Sequence, residues 1–298
     1  VVAMADIDPA KRKGDWSKIG GNISVGERPN IKGGKMYATC EELIADPDVD
    51  VVDITLPTHL HAPIAIKALA AGKPVICEKP MAINSKEAAK MVAAAKKYKA
   101  PLFISHCIRF WPEYAAAKEI IDSGKYGKVI QASFTRLSLT PTWSWDNWLQ
   151  DPKRSGCAAL DLHVHDVDFI QYAFGMPKTI SARAVGFSDG RADHVIAHFD
   201  YGKKNQLITA EGGWLFSPTF GFTMHFRIQL EKATLTYGCG SGGGALCINT
   251  PNGKMTKVKV KGGDGYSNEL AYFLDCVAKG RKSTIVTPES SLDSAPSA

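Results

Sequence analysis

Apolar and polar positions along this chain fall into two regimes. Over roughly the first hundred residues, short continuous apolar runs alternate with segments of helical spacing. The runs are Val1–Ala5, which stops at the acid Asp6, then Asp50–Thr55, Pro74–Cys77 and Pro101–Ser105. Between them His61–Ala71 carries apolar residues at helical intervals. Ser85–Lys99 is rich in Ala and Lys, with Asn84 and Glu87 placed as a helix start. Strands apolar on both faces and joined by helices predict parallel β-structure covered on both sides. Beyond about residue 125 the pattern changes to alternation, residue by residue. It runs through Val129–Ser138, Ile180–Phe187, His194–Phe199, Gln206–Trp214, Thr223–Leu230, Ala233–Tyr237 and Lys257–Lys261, with Gly, Asn and Asp turns between. This predicts a largely antiparallel sheet with one polar face. Two helices, Asp161–Phe174 and Tyr266–Lys279, accompany it. The change in strand type places a domain boundary at residue 108, giving units 1–108 and 109–298. Residues 11–36, Gly- and Lys-rich without periodicity, read as an irregular insertion.

Composition narrows the class. A chain of 298 residues fits two domains of roughly 150 each and can bury a sizeable core. With 45% apolar and 22% charged residues it is an ordinary globular sequence, neither disordered nor collagen-like. No window approaches roughly 18 uninterrupted apolar residues, so no membrane span is expected. The net charge of +6 is scattered along the chain, which gives no basic stripe for nucleic acid. The 7 cysteines are odd in number, irregular in spacing and without a CxxC pair. That excludes a disulfide framework and a structural zinc site, and it points to a reducing cytoplasm.

An α/β half followed by an antiparallel half is the organisation of a dinucleotide-binding unit with a substrate unit. Such a unit opens strand–GxGxxG–helix and carries an acid about 20 residues later for the ribose hydroxyls. Asp6 fits that acid, and it equally fits a strand-end turn. The chain starts at what reads as the second strand, so a first strand, glycine loop and helix of roughly 30 residues are expected ahead of Val1. Gly240–Ala245 spells GxGxxA after a strand, yet strand and turn residues follow it rather than a helix. No helix N-terminus would face a pyrophosphate there, so it reads as a hairpin loop.

Three segments, together with Arg109, Trp145 and Trp148, carry candidate chemistry. Ile76-Cys77-Glu78-Lys79-Pro80 follows a parallel strand, and ligands bind beyond the carboxyl ends of such strands. Pro80 restricts Lys79 to an extended backbone. A lysine so held stabilises a developing alkoxide, although a solvated loop lysine has the same sequence. In Asp161-Leu162-His163-Val164-His165-Asp166, Asp161 and His165 are four apart and share a face of the expected helix. A carboxylate beside an imidazole orients it and raises its basicity, which makes His165 a general acid/base. His163 and His165 are two apart and diverge, so no metal is expected, and His163 reads as a packing or pocket-wall residue. Thr55-Leu56-Pro57-Thr58-His59-Leu60-His61 suits a tight turn against a flat ring, or a plain helix start. Arg109 sits at the domain junction, where a fixed guanidinium would hold hydroxyls or a carboxylate. Trp145 and Trp148, near Trp143, offer aromatic faces to a sugar ring, or to a core.

Taken together these segments resemble the Gfo/Idh/MocA family of glucose–fructose oxidoreductase and inositol dehydrogenase. The matching features are the acid-terminated strand at Asp6, TLPTHLH at 55–61, AGKPVICEKP at 71–80, IRFWP at 108–112, SGKYGKV at 123–129 and the DxxxH of Asp161 and His165. The resemblance implies an N-terminal Rossmann-like domain, here without its first strand and glycine loop, and a C-terminal open, mainly antiparallel sheet domain. It implies Lys79, Asp161 and His165 as the catalytic set. Asp6, Thr55, Pro57, His61, Glu78, Lys79 and Pro80 fall on the cofactor side. Arg109, Trp145, Trp148 and His163 fall on the substrate side. The family commonly has a glycine where His163 stands, and the ending SLDSAPSA is short of the family's closing helix.

The expected activity is an NAD(P)-dependent hydride transfer at a hydroxyl or keto carbon of a sugar, cyclitol or sugar derivative. Asp6 favours NAD, because a carboxylate repels a 2′-phosphate, while Lys11 and Arg12 keep NADP open. Two other readings share the fold, a redox-assisted glycoside hydrolase or epimerase and a non-catalytic ligand sensor. The expected partners are a sugar or polyol and further copies of this chain, as a dimer or tetramer through the open sheet face.

Overall fold

The computed structural model describes residues 1–17, 20–21, 33–188, 190–239 and 244–295. Its first part runs β1 (Ala3–Ala5), α1 (Pro9–Arg12), β2 (Lys35–Tyr37), α2 (Cys40–Ala45), β3 (Val52–Ile54), α3 (His61–Ala70), β4 (Val75–Glu78), α4 (Ser85–Tyr98) and β5 (Leu102–Ser105). β1 and β2 pair in parallel, and β3-β4-β5 form a second parallel sheet. β4 and β5 are buried along nearly their whole length, as continuous apolar runs require. α4 starts where the sequence places it, with the Asn84 side chain accepting from Glu87 N at 3.0 Å. Three elements escaped the periodicity. α1 is capped by Asp8, α2 is set by a capping box between Thr39 and Glu42, and β2 straddles the end of the segment expected to be irregular. Residues 18–19 and 22–32 of that segment lie outside the described residues.

The second part runs α5 (Pro112–Asp122), β6 (Val129–Leu139), α6 (Pro152–Ser155), α7 (Cys157–Asp161), α8 (Val164–Phe174), β7 (Thr179–Val185), β8 (His194–Asp200), β9 (Leu207–Phe216), β10 (Phe222–Leu230), β11 (Ala233–Cys239), β12 (Cys247–Asn249), β13 (Met255–Lys257), α9 (Gly265–Ala278) and α10 (Pro288–Asp293). The strands form one sheet in the order β13-β12-β11-β10-β6-β9-β8-β7, antiparallel except for the β6–β9 pair. Alternation sorts its faces. Phe134 on β6, Phe226 on β10 and Ala210 on β9 point into a core shared with Tyr114 of α5 and Phe169 of α8. Among the described residues the opposite face carries no helix, and it exposes Val185, Ile196 and Leu207. The strand expected at Lys257–Lys261 sits earlier, as β13. The GxGxxA loop lies largely outside the described residues, at 240–243.

Two departures from the sequence pattern matter for the site. The helix expected over Asp161–Phe174 is broken into α7 and α8 by a turn at Leu162–His163. His163 N donates to Ala158 O at 2.9 Å, and the chain re-enters a helix at Val164. The break lets α7 pack on β9, with Cys157 and Ala158 against Trp214, while α8 packs over β6. Second, α9 and α10 return to the first half. Phe273 stacks on Phe103 at 4.9 Å and Cys276 is buried in the parallel-sheet core, so residues 265–295 pack mainly on the unit they were not assigned to.

Candidate active site

The carboxyl ends of β3, β4 and β5 converge, and each delivers a polar turn. From β4 come Glu78 and Lys79, followed by the cis Lys79–Pro80 bond. Lys79 Nζ reaches across to the end of α7 and donates to Asp161 O at 2.9 Å. It also lies 3.4 Å from Asp161 Oδ1, with both side chains largely buried. This ion pair joins the parallel half to the turn that opens α8.

Asp161 does not do what the sequence spacing predicts. The four-residue rule needs one continuous helix, and the break at Leu162–His163 removes it. Asp161 is turned to Lys79 instead, and no hydrogen bond to His165 is formed. His165 Nδ1 is buried without a partner. Its imidazole is therefore held well below its usual pKa rather than above it. Burial is the main cause, and the charges of Lys79, Arg136 and His106 act in the same direction. At neutral pH this is an uncharged ring able to accept a proton.

The floor beneath is a set of buried charges. Arg136 on β6 grips Asp166 of α8 through Nε at 2.8 Å and Nη2 at 3.0 Å, which fixes the helix that carries His165. Glu78 has its pKa pushed up to about 7 by burial, against the pull of Lys79. Glu269 on α9 is 2% exposed, its Oε2 has no partner, and burial lifts its pKa to about 9, with Glu78 and Asp53 adding to the shift. A carboxylic acid thus sits protonated behind the strand ends.

Several expected roles need correction. Arg109 is 4% exposed and faces the interior. Its Nε and Nη2 hold Asp168 at 2.8 and 2.7 Å, and Nη1 donates to Ile285 O and Ser290 Oγ. It ties α8 to the returning C-terminal segment instead of facing a substrate. His61 is buried between two turns, Nδ1 2.8 Å from Pro80 O and Nε2 2.7 Å from Leu56 O. It braces the β3 and β4 turns rather than presenting a free nitrogen to a cofactor. Asp6 stands directly after β1 as expected of a cofactor-side acid, where it accepts from Asp8 N at 2.8 Å and pairs with Lys11 at 3.3 Å.

The other expected residues lie as follows. Thr55 is exposed and Pro57 half-buried at the end of β3. Trp145 is exposed under the Arg154 guanidinium, and Trp148 is half-buried in the same turn. α6, which follows that turn, packs on residues 58–60, so the tryptophans are brought beside the β3 turn. His163 is buried with neither ring nitrogen partnered, pressed against Gly212. Sequence reasoning missed His106, Asp168 and Glu269. Position at a strand's carboxyl end would have found His106, and spacing from His165 would have found Asp168. Nothing in α9 distinguishes Glu269.

The site has the chemistry a nicotinamide ring needs. Thr58 Oγ1, His59 Nδ1 and Glu269 Oε2 are buried polar atoms without partners, in turns at the strand ends or on the helix packed there. Such orphans are what a bound polar group satisfies. No glycine loop leading into a helix occurs among the described residues. No helix among them is long and apolar enough to cross a membrane.

Comparison with known proteins is consistent with this geometry. The model of the Gfo/Idh/MocA oxidoreductase family, NAD-binding Rossmann fold, matches residues 24–106, and that of the Gfo/Idh/MocA C-terminal domain matches residues 114–236. The chain is 30% identical over 279 residues to the trans-1,2-dihydrobenzene-1,2-diol dehydrogenase of Bos taurus, covering 85% of this chain and 76% of that one. The chain belongs to the Gfo/Idh/MocA family. A second member, the 1,5-anhydro-D-fructose reductase of Ensifer adhaerens, is 34% identical over 139 residues, 47% of this chain and 42% of that one. The chain thus spans less than half the length of this relative. Among solved structures of the fold, levoglucosan dehydrogenase in complex with NADH and levoglucosan superimposes with a TM-score of 0.80 at 19% identity, over 97% of this chain and 83% of that chain. The two-part architecture and the NAD-binding fold expected from the sequence are those of this Gfo/Idh/MocA protein.

Proposed function

We propose that this protein is an NAD(P)-dependent oxidoreductase that oxidises a secondary hydroxyl of a sugar, cyclitol or related polyol. The observation that carries the reading is the Lys79–Asp161 pair across the strand ends, beside an uncharged His165. Lys79, held at Asp161, places an ammonium group where a substrate oxygen would sit and lowers that hydroxyl's pKa. His165 takes the hydroxyl proton as the C–H bond breaks. Its depressed pKa is matched by the acidified hydroxyl, because the same lysine acts on both. Asp161 positions Lys79 rather than the imidazole. Thr58, Glu78 and Glu269 would hold a nicotinamide ring, which would supply the hydride acceptor when bound. The names of the relatives, which act on an anhydrosugar and a dihydrodiol, agree with a vicinal-diol or sugar substrate. Trp145, Trp148 and His163 are the side chains we assign to its recognition.

Lys79→Ala and His165→Ala should each lower turnover by about 100-fold or more while leaving nicotinamide binding largely intact. A sugar and polyol panel read at the reduced-nicotinamide absorbance measures the first, and cofactor fluorescence the second. Unchanged turnover in either variant removes the assignment. Release of a glycone without net reduced cofactor would select the redox-assisted hydrolase instead.

We further assign the uncovered sheet face to pairing with a second copy, on the support of exposed Val185, Ile196 and Leu207 along one face. The free cysteines Cys40, Cys77, Cys107, Cys157, Cys247 and Cys276 support a reducing, cytoplasmic setting.

A further inference from the structure

His61 opens α3, and its ring lies between the turns that follow β3 and β4. Those strands pair in parallel, so the two turns leave the sheet side by side. Nδ1 is 2.8 Å from Pro80 O, in the turn after β4, and Nε2 is 2.7 Å from Leu56 O, in the turn after β3. The residue is 1% exposed, so bulk water does not compete for either nitrogen. Both neighbours are carbonyl oxygens, which accept and cannot donate. A neutral imidazole has one N–H, and its other nitrogen is a lone pair. One carbonyl is then bonded while the other faces that lone pair at hydrogen-bond distance. Only a ring protonated on both nitrogens bonds to both carbonyls. These are the turns that bring Thr58, Glu78 and Lys79 to the site.

We propose that His61 is a positioning residue that sets the spacing of the two turns by its proton count, holding one turn with a single ring proton and both with two. The step is proton uptake alone: the bare ring nitrogen takes a proton from solvent, and the new N–H donates to the carbonyl it faces. Burial is the main force against the second proton, and Lys79 adds to it, while the two carbonyls and the Asp161 carboxylate favour it. Burial prevails, so the second proton is taken up below the ordinary histidine value of about 6.5. The other titratable groups on elements packed there are His59 in the same turn, Glu78 on β4, Lys86 and Glu87 on α4, and Lys153 and Arg154 on α6. At neutral pH the brace is single and the gap between the turns is free to widen. In acid it is double and the gap is pinned. The proposal rests on the reading of these turns as the nicotinamide site and adds the residue that controls their separation.

Nitrogen-15 NMR of the whole protein without cofactor counts the ring protons, with the His61 signals assigned by their loss in His61→Gln. The wild type should show one protonated ring nitrogen at neutral pH and two below about pH 6.5. The carbon-13 signals of the Leu56 and Pro80 carbonyls should move with the same midpoint. Release of NADH, followed by stopped-flow fluorescence, should slow about tenfold across that midpoint, the effect of one added charge-assisted hydrogen bond. His61→Gln, which keeps a donor and takes no second proton, should release NADH at the fast rate at every pH. His61→Asn replaces it if the glutamine variant does not fold. A ring that holds the same number of protons throughout the folded range overturns the proposal, and so does an unchanged pH dependence of release in the variant. Failure of the wild type to bind NADH at any pH would instead overturn the cofactor reading of the turns, and the proton count with the carbonyl signals would still decide the brace.

Discussion

At the scale of single residues, burial governs the site more than pairwise charge. His165 was expected to gain basicity from Asp161, but it has no anionic partner and is buried beside the cations Lys79 and Arg136, so its neutral form is favoured. Oxidation requires the neutral ring. The acid limb of kcat/KM should therefore fall well below pH 6.5, the model-peptide value for histidine of about 6.5, and a pH–rate profile checks it. An acid limb at or above that value would contradict the assignment. Glu269 gives the opposite sign. Its pKa is raised to about 9 in the fold, above the ordinary 4.5. Its share of stability is thus complete below the ordinary value and is lost as pH rises toward about 9. Glu269→Gln should match the wild type in melting temperature near pH 4 and exceed it increasingly toward pH 8, as pH-series calorimetry would show. These two residues mark how far the sequence reached. His165 was legible because its motif is local, whereas its environment was not. Its perturbers arrive from β4, β5 and β6.

At the scale of elements, the joint between α7 and α8 decides what the DxxxH spacing means. Gly156 and Cys157, both at positive φ, start α7 in its own direction, and His163 closes it against Gly212 of β9. A Cβ at Gly212 would come within 2.6 Å of His163 Nδ1 and 2.9 Å of its Cβ, so neither neighbour can yield cheaply. Gly212→Ala should cost about 1–3 kcal/mol in denaturant unfolding and lower turnover, because α8 and His165 shift with the turn. Unfolding and turnover both at wild-type level would show that the joint does not control the helix. The continuous strands and the alternating strands were readable as classes, since period and length carry that information. The break in the helix was not, because it exists to let two short apolar faces reach different strands.

At the scale of the molecule, the return of α9 and α10 binds the two halves. Phe273 and Cys276 complete the parallel-sheet core, and Arg109 joins Ile285 and Ser290 to Asp168 on α8. The uncovered face of the large sheet remains, and the second copy assigned to it makes a concentration-dependent prediction. Ile196→Lys should shift the protein toward monomer in sedimentation velocity while leaving its circular dichroism unchanged. A wild type that is monomeric at high concentration would end that assignment.

The two strand regimes, the parallel half followed by the antiparallel half, and the short motifs at strand ends are legible in the chain because each is written in contiguous residues. That Asp161 serves Lys79, that Arg109 and His61 are internal braces, and that His106, Asp168 and Glu269 stand at the site came only with the folded arrangement. Those facts depend on residues far apart in the chain meeting in a water-poor interior, where burial and the sum of surrounding charges set both partner and protonation.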